Sequence, residues 1–369
     1  MANDWYQVLD IDKIDSPALV IYLDRVKHNI ALAIQMVNDP LQLRPHVKTH
    51  KSPQVTALML HAGITKFKCA TIAEAEMLAQ CNAPDILLAY QPTGPKIQRL
   101  LKLVQNYPHS KFSCLLDSED AANAIATQAT EQGQSLKVFI DVNVGMNRTG
   151  ILPQNVPGLY NACKKLKGID VTGLHGYDGH INDTDITTRK QKADEVFRQL
   201  EEAKETLLSA GLEQPVIVIG GSPTFSIHAK RENVECSPGT FVYWDKNYSD
   251  QFPDMKFLPA ALVVSRVVSI VNEKRICIDL GHKSIASENV LGRRVDFLNA
   301  EELQPVGQSE EHLVMETNTP HHYKVGDVLY GMPHHVCPTC ALYDTASVIE
   351  NGIVKEEWQM VARDRKLSV

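Results

Sequence analysis

Two clusters of side chains in this chain have the types and spacing to do chemistry. The first is Arg44-Pro45-His46-Val47-Lys48-Thr49-His50-Lys51. The run Leu41–Val47 alternates in hydropathy and is expected to form a strand, and Ser52-Pro53 then opens a helical pattern. A lysine at the carboxyl end of a strand is well placed for chemistry, because α/β architectures put their sites there. The alternative is a basic loop that solvates a strand end. The second cluster is Pro333-His334-His335-Val336-Cys337-Pro338-Thr339-Cys340. His335 and Cys337 are two apart, so on a strand they would face the same way. Imidazole plus thiolate is a zinc-type pair, and two protein ligands leave open positions for water or substrate. A redox pair at Cys337 and Cys340, a structural zinc site and plain buried thiols are the other readings, although no thioredoxin-like context and no second cysteine pair accompany them.

Four shorter motifs lie between these clusters. Asp141-Val142-Asn143-Val144-Gly145-Met146-Asn147-Arg148-Thr149-Gly150 follows a strongly apolar run and presents Arg148 in a Gly-rich loop. In Gly173-Leu174-His175-Gly176-Tyr177-Asp178-Gly179-His180, glycines flank Tyr177 and permit close approach of backbone to a ligand. Gly220-Gly221-Ser222-Pro223-Thr224 exposes backbone N–H groups, and the hydroxyls of Ser222 and Thr224 add donors, as a phosphate cradle needs. Ser237-Pro238-Gly239-Thr240-Phe241 could close that cradle from the other side, since barrels commonly bind phosphate after their last two strands.

The order Arg-Pro-His-x-Lys-x-His-Lys, followed by these motifs in sequence, resembles the D-threonine aldolase and D-serine dehydratase family, relatives of alanine racemase. The resemblance covers nearly the whole chain. It implies that Lys48 forms a Schiff base with pyridoxal 5′-phosphate, that Arg148 lies close to the cofactor's phenolic oxygen, and that Tyr177 lies near its ring nitrogen. Gly221, Ser222, Thr224, Gly239 and Thr240 would hold the phosphate. His335 and Cys337 match the His-x-Cys metal site of the dehydratases, whereas the aldolases typically have His-x-Asp there; the thiolate favours zinc. Ser309-Glu310-Glu311-His312 resembles a further family segment with a supporting role. The activity implied is a metal-dependent lyase acting on D-β-hydroxy amino acids, of D-serine dehydratase type, with a D-threonine aldolase as the alternative. An amino-acid racemase and a non-catalytic pyridoxal-phosphate carrier are more distant alternatives. The resemblance also implies a homodimer.

Elements must position these groups. Strand-like runs recur at 41–47, 66–71, 85–90, 111–117, 136–142, 170–175, 215–219 and 233–236, with amphipathic segments between most of them, clearest at Ile72–Gln80 and Ile186–Ala210. Asp24 is expected to cap a helix running through Met36. Alternation of this kind fits a (β/α)8 TIM-like barrel or a doubly wound open sheet, and the resemblance favours the barrel. Past Leu258 the pattern becomes strand after strand: a hairpin across Asn272-Glu273-Lys274, then Tyr323–Val328, then Thr345–Glu350, where Asn351-Gly352 marks a type I′ turn. The fold expected is therefore alanine racemase-like, a pyridoxal-phosphate barrel over 25–254 and a β-rich domain from 1–24 plus 255–369 that carries the metal motif.

Bulk properties exclude several classes. The chain has 369 residues, 44% hydrophobic and 22% charged, which is ordinary for a globular protein with room for two domains. A net charge of −7 argues against nucleic acid as a partner. Met1-Ala2-Asn3-Asp4-Trp5 shows no basic start followed by an apolar core, and no run is long enough to span a membrane. Eight cysteines without a secretory signal point to a reducing, cytoplasmic setting. Cys69, Cys114 and Cys277 sit in apolar runs and are expected in the core.

Overall fold

The structure, a computed structural model, describes residues 5–369. Met1-Ala2-Asn3-Asp4, with which both the leader reading and the expected segment 1–24 begin, lie outside the described residues. In chain order the strands are β1 (Ala18–Tyr22), β2 (Lys66–Cys69), β3 (Asp85–Leu88), β4 (Lys111–Leu116), β5 (Leu136–Val142), β6 (Ile169–Gly176), β7 (Val216–Ile219), β8 (Val234–Cys236), β9 (Ala261–Asn272), β10 (Arg275–Ile278), β11 (Val295–Phe297), β12 (Gln304–Gln308), β13 (Leu313–Glu316), β14 (Val328–Pro333), β15 (Thr345–Glu350) and β16 (Ile353–Gln359). They fall into two compact units.

One unit comprises Leu32–Lys48, Val55–Gly239 and Asp364–Val369. Its strands β2 to β8 pair in parallel and in chain order, with helices such as Ile72–Gln80 and Ile186–Ser209 between them. The expected strand over 41–47 takes a different form. Pro40–Gln42 is a 3-10 turn, and beyond it Leu43 bridges Cys236 of β8 while His46 bridges Lys68 of β2. Pro45 has no N–H to give, so an unbroken ladder along one neighbour is not available. The backbone is satisfied on both sides instead: Arg44 N–H donates to the Cys236 carbonyl at 2.8 Å, Val47 N–H to Lys68 at 2.9 Å, and Lys68 N–H to Pro45 at 2.8 Å. The segment stands in the place of an eighth strand and joins the two edges of the sheet. The architecture is thus the alanine racemase-like barrel and not an open doubly wound sheet.

Strand register decides which side chains fill the barrel. Lys68 lies beside Leu87, Leu115 beside Phe139, and Asp141 beside His175, which lies beside Val218. Leu87, Leu115, Phe139 and Val218 pack together as a buried cluster. Since strand side chains alternate between faces, Lys68, Asp141 and His175 share the inward face with them. At the opposite ends of the strands, Arg44 is 2% exposed and bonds Glu235 and Asp85, each at 2.6 Å; Lys66 reaches Glu235 at 2.5 Å. The first basic residue of the opening cluster therefore knits the barrel floor. Cys69 and Cys114 are buried in the core as expected, whereas Cys277, in the other unit, is half-buried.

The other unit comprises the described part of Met1–Ala31, with Thr49–Gln54 and Thr240–Arg363. Its sheet runs β12-β13-β10-β9-β1-β15-β16, with β14 paired to β9 and β11 to β14. The N-terminal half of β9 is buried on both faces: Val263 and Val267 join a cluster with Ile276, Ile278 and Leu313, and Leu262 and Val264 join Val20, Tyr22 and Tyr330. The hairpin between β9 and β10 forms where expected. So does the one at Asn351-Gly352, whose φ angles of +54° and +75° are those a type I′ turn demands. Two expectations are corrected. Tyr323–Val328 is not a strand: Asp327 N–H folds back on the Lys324 carbonyl at 3.1 Å, Gly326 has φ +96°, and β14 starts only at Val328. Asp24 does not cap its helix but sits in the first turn of Leu23–Met36, where a carboxylate still favours the N-terminal dipole.

Candidate active site

Lys48 follows the barrel-closing segment and is exposed. Its backbone N–H donates to His46 Nδ1 at 3.3 Å. The loop after β5 is closed by Asn143, whose side-chain oxygen accepts from Gly145 and Asn147 N–H, each at 3.1 Å. Gly150 is required there: at φ +101°, a Cβ would lie 2.5 Å from the Asn143 nitrogen. That loop carries Arg148, whose guanidinium lies 4.8 Å from the centre of the Tyr177 ring. The ring in turn rests on Gly221, where an added Cβ would meet it at 3.0 Å. Ser222 Oγ accepts from Gly239 N–H at 3.2 Å, so the turns after β7 and β8 are tied together.

The barrel unit thus brings Arg148, Tyr177, Gly221, Ser222 and Gly239 together, with Lys48 at the end of the closing segment. Thr224 lies in the same turn, but its hydroxyl is fully buried and donates to Asp178 at 2.9 Å. Asp178 also holds His228 Nε2 at 2.8 Å. This anchors the Tyr177 loop to the turn after β7 and is a support that sequence reading missed. The exposed ring of His180 packs against Gly145, where a Cβ would meet it at 2.8 Å.

A second missed group lies deeper. Lys68 Nζ is 3.4 Å from His175 Nε2, and His175 Nδ1 is 2.7 Å from Asp141 Oδ1. All three are buried. Burial, then the like charge of Lys48, pushes the Lys68 amine down to about 7, against the pull of Asp141 and Asp178. Burial and the charge of Lys68 likewise lower His175. The available signal was alternation: in Lys66-Phe67-Lys68-Cys69 the lysines share one face, and in a closed parallel barrel one face points inward.

Thr240, His335 and Cys337 belong to the other unit. The metal motif is not on a strand. β14 ends at Pro333, and His335 precedes a short helix, Val336–Cys340. The two side chains nevertheless meet, for a hydrogen bond donated by the imidazole to the Cys337 sulfur raises His335. Burial works against the charged imidazole, but Cys337 and Glu288 outweigh it and lift the ring to about 9. Glu288 bonds His335 Nδ1, which leaves Nε2 for a metal. Thr49, the residue after Lys48, has its hydroxyl 3.1 Å from Cys337 Sγ, and that of Thr240 is 3.5 Å away. No group of three or more metal-ligating His, Cys, Asp or Glu side chains occurs among the described residues. A nitrogen and a sulfur donor in contact fit zinc better than an oxygen-seeking ion. The neighbouring His334 is committed to Asp296 at 2.8 Å and Asn247 at 3.2 Å. Exposed His312 lies in the turn between β12 and β13, where its carbonyl accepts from Ser309 N–H at 2.9 Å.

With this geometry in place, kinship can be stated. The family described as alanine racemase, N-terminal domain, matches residues 21–247, and a serine dehydratase domain matches 260–349. The chain belongs to the alanine racemase N-terminal domain family. It is 26% identical to the D-threonine aldolase of Arthrobacter sp over 95% of this chain and 93% of that protein. It is 32% identical to the D-threo-3-hydroxyaspartate dehydratase of Delftia sp. (strain HT23) over 63% of this chain and 62% of that one. The solved D-threonine aldolase of Filomicrobium marinum superposes with a TM-score of 0.86 at 24% identity, covering 95% of each chain. On these matches the chain is an enzyme of the lyase class, in a family whose members use pyridoxal phosphate. No helix among the described residues is long and apolar enough to cross a membrane.

Proposed function

We propose that the protein is a pyridoxal 5′-phosphate- and zinc-dependent lyase for D-β-hydroxy amino acids, of the D-serine dehydratase type. The observation that carries this reading is the convergence of Arg148, Tyr177, Gly221, Ser222 and Gly239 in the barrel that Lys48 terminates. Glycine at 221 leaves room for Tyr177 to lie flat where a side chain would displace it, which suits a loop that packs against a planar ring. Lys48 would hold the cofactor through its amine. Arg148 would offer its guanidinium to the phenolic oxygen, and Ser222, with the N–H groups around Gly221 and Gly239, would hold the phosphate, helped by Thr240. Thr224 stiffens this turn through Asp178. When bound, the cofactor supplies an electron sink for charge developing at the substrate's α carbon. The Lys48 amine would also serve as the base that accepts the α proton. His335 and Cys337 would hold the metal, whose chemistry is Lewis acidity toward the β-hydroxyl.

Loss of hydroxide gives dehydratase chemistry, and Cα–Cβ cleavage gives aldolase chemistry. Cys337 supports the first. The near full-length similarity to a D-threonine aldolase supports the second. The test is product analysis with D-serine, D-threonine and 3-hydroxy-D-aspartate. Pyruvate and ammonia from D-serine are expected. Glycine as the main product from D-threonine would replace the dehydratase reading with the aldolase one, and racemisation alone would end both. The reading also includes a cytoplasmic homodimer, consistent with eight free thiols. The domain limits of 25–254 for the cofactor-holding part and 255–369 with 1–24 for the rest are part of the same proposal.

A further inference from the structure

The hydrogen bonds that anchor the Tyr177 loop continue outward to the surface of the barrel unit. Thr224 Oγ and His228 Nε2 both meet the buried Asp178 carboxylate, at 2.9 and 2.8 Å. On the other edge of the ring, His228 Nδ1 lies 3.1 Å from Arg231 Nε, and Arg231 also pairs with Asp194. Asp194 sits on the helix Ile186–Ser209 and holds Lys190 at 2.6 Å as well. Phe197 of the same helix lies under the Arg231 guanidinium at 4.1 Å, its ring centre 6.4 Å from that of the imidazole. All of these residues belong to the barrel unit. Asp178, Thr224 and His228 are fully buried, whereas the Arg231 side chain is 18% exposed. Donor counting gives this chain one direction. A guanidinium can only donate, so His228 Nδ1 is bare. A carboxylate can only accept, so the imidazole proton is on Nε2 and points at Asp178. A second ring proton, on Nδ1, would face the Arg231 N–H and break that bond. The buried imidazole therefore has one tautomer, and Arg231 selects it.

The ring stands between two parts of the site. It packs on Gly220, where a Cβ would meet its Cδ2 at 2.9 Å, and Gly220 N–H donates to the Gly176 carbonyl at 3.2 Å. Asp178 follows Tyr177 in the chain, and the Tyr177 ring rests on Gly221. His228 thus touches the turn after β7 directly and the Tyr177 loop through Asp178. We propose that Arg231 is a positioning residue for the cofactor: by fixing the tautomer of His228 it sets the spacing between the Tyr177 loop and the Gly220–Thr224 turn. This rests on that slot being the seat of pyridoxal 5′-phosphate. Without the Arg231 N–H, Nδ1 of the buried ring has lost its donor and the ring proton is free to move there. Asp178 then faces a bare Nε2, two acceptors in contact, and the loop and the turn lose their common anchor. Arginine suits the place because its planar fork serves His228 and Asp194 at once.

The test has two readouts, and neither is turnover. In the full chain carrying nitrogen-labelled histidine, the His228 resonances are assigned by their absence from His228→Gln. They should show a proton on Nε2 and a bare Nδ1. In Arg231→Leu that pattern should give way to a mixture of tautomers or to imidazolium. Pyridoxal 5′-phosphate is then titrated into the cofactor-free chain and followed by absorbance. Arg231→Leu should bind it roughly tenfold more weakly than wild type, the change expected from one lost hydrogen bond. Asp194→Asn removes the ion pair and leaves the bond to His228, so it should match wild type in both readouts. A loss in Asp194→Asn equal to that in Arg231→Leu would reveal a merely structural clamp on the helix and overturn the proposal. Equal cofactor binding by wild type and Arg231→Leu would also overturn it, and would leave the proposed function intact. A wild-type proton on Nδ1 would overturn it even if Arg231→Leu fails to fold. If the tautomers behave as expected while the wild type takes up no pyridoxal 5′-phosphate, the proposed function falls and the control of His228 by Arg231 stands.

Discussion

His50 shows how burial, helped by the charge of Lys51, creates a pH dependence. It is fully buried, its Nδ1 accepts from Ser52 N–H at 3.1 Å, and its Nε2 has no hydrogen-bond partner. Burial pushes its pKa down to about 3 from 6.5. Between those values the unfolded chain takes up a proton that the folded one refuses. Stability is therefore complete above the unfolded value and is lost as pH falls, by about 1.4 kcal/mol per pH unit. Between about pH 6.5 and pH 5 the wild type should lose roughly 2 kcal/mol from this group. Urea unfolding of His50→Gln at both pH values should show that part of the acid loss removed, and an unchanged acid loss would refute the burial argument. Lys48 carries the second prediction at this scale. Lys48→Ala should abolish turnover and the borohydride-fixed cofactor adduct, checked by peptide mass, and an adduct appearing at another lysine would move the assignment. Lys48, Arg148, Tyr177, His335 and Cys337 could be proposed because the segments that carry them resemble the family's motifs in order. Lys68, Asp141 and His175 were missed, because alternation puts Lys66 and Lys68 on one face without saying that the face points inward; the register of strands far apart in sequence decides that.

At the scale of elements, hydropathy alternation located most strands and the helices Ile72–Gln80 and Ile186–Ser209, since period and length are local properties. It failed where long-range pairing or a turn took over. The run 41–47 became a segment shared between two neighbours, Tyr323–Val328 yielded to a turn, and the metal motif became a helix start. Arg44 illustrates the energetic stake in the first of these. Replacing it with alanine leaves Glu235, itself almost buried, with only Lys66. Removing one partner of a buried ion pair costs about 3–5 kcal/mol. Arg44→Ala should lose stability of that order in urea unfolding, and adding Glu235→Gln should recover part of it. A loss below about 1 kcal/mol would place the network among surface pairs in its contribution.

At the scale of the whole molecule the predictions concern loading and assembly. Chelation should abolish turnover and leave the yellow colour of the bound cofactor, because the proposed metal ligands, His335 and Cys337, are distinct from the groups proposed to hold the cofactor. Metal analysis before and after, with absorbance, checks this, and full activity without metal would remove the metal role. Sedimentation at working concentration should give twice the chain mass, since the proposed assembly is a two-fold homodimer. An active species at the mass of one chain would disprove it. Overall architecture was legible because eight strand-like runs separated by helices, then strands without helices, leave few arrangements open. How the barrel closes was not, since closure depends on a bridge between Leu43 and Cys236 that no local pattern announces.

That bridge also orders events in time. The chain leaves the ribosome from its N-terminus, and Lys48 emerges early, long before Cys236. Until β8 has been synthesised and has met Leu43, the stretch that ends in Lys48 has a neighbour on one side only. The amine proposed to hold the cofactor is thus left without its final setting until nearly the whole barrel has been translated. Capture of an aldehyde by a properly seated Lys48 then becomes a timestamp for completion of the barrel, and a chain stalled before Cys236 should remain colourless.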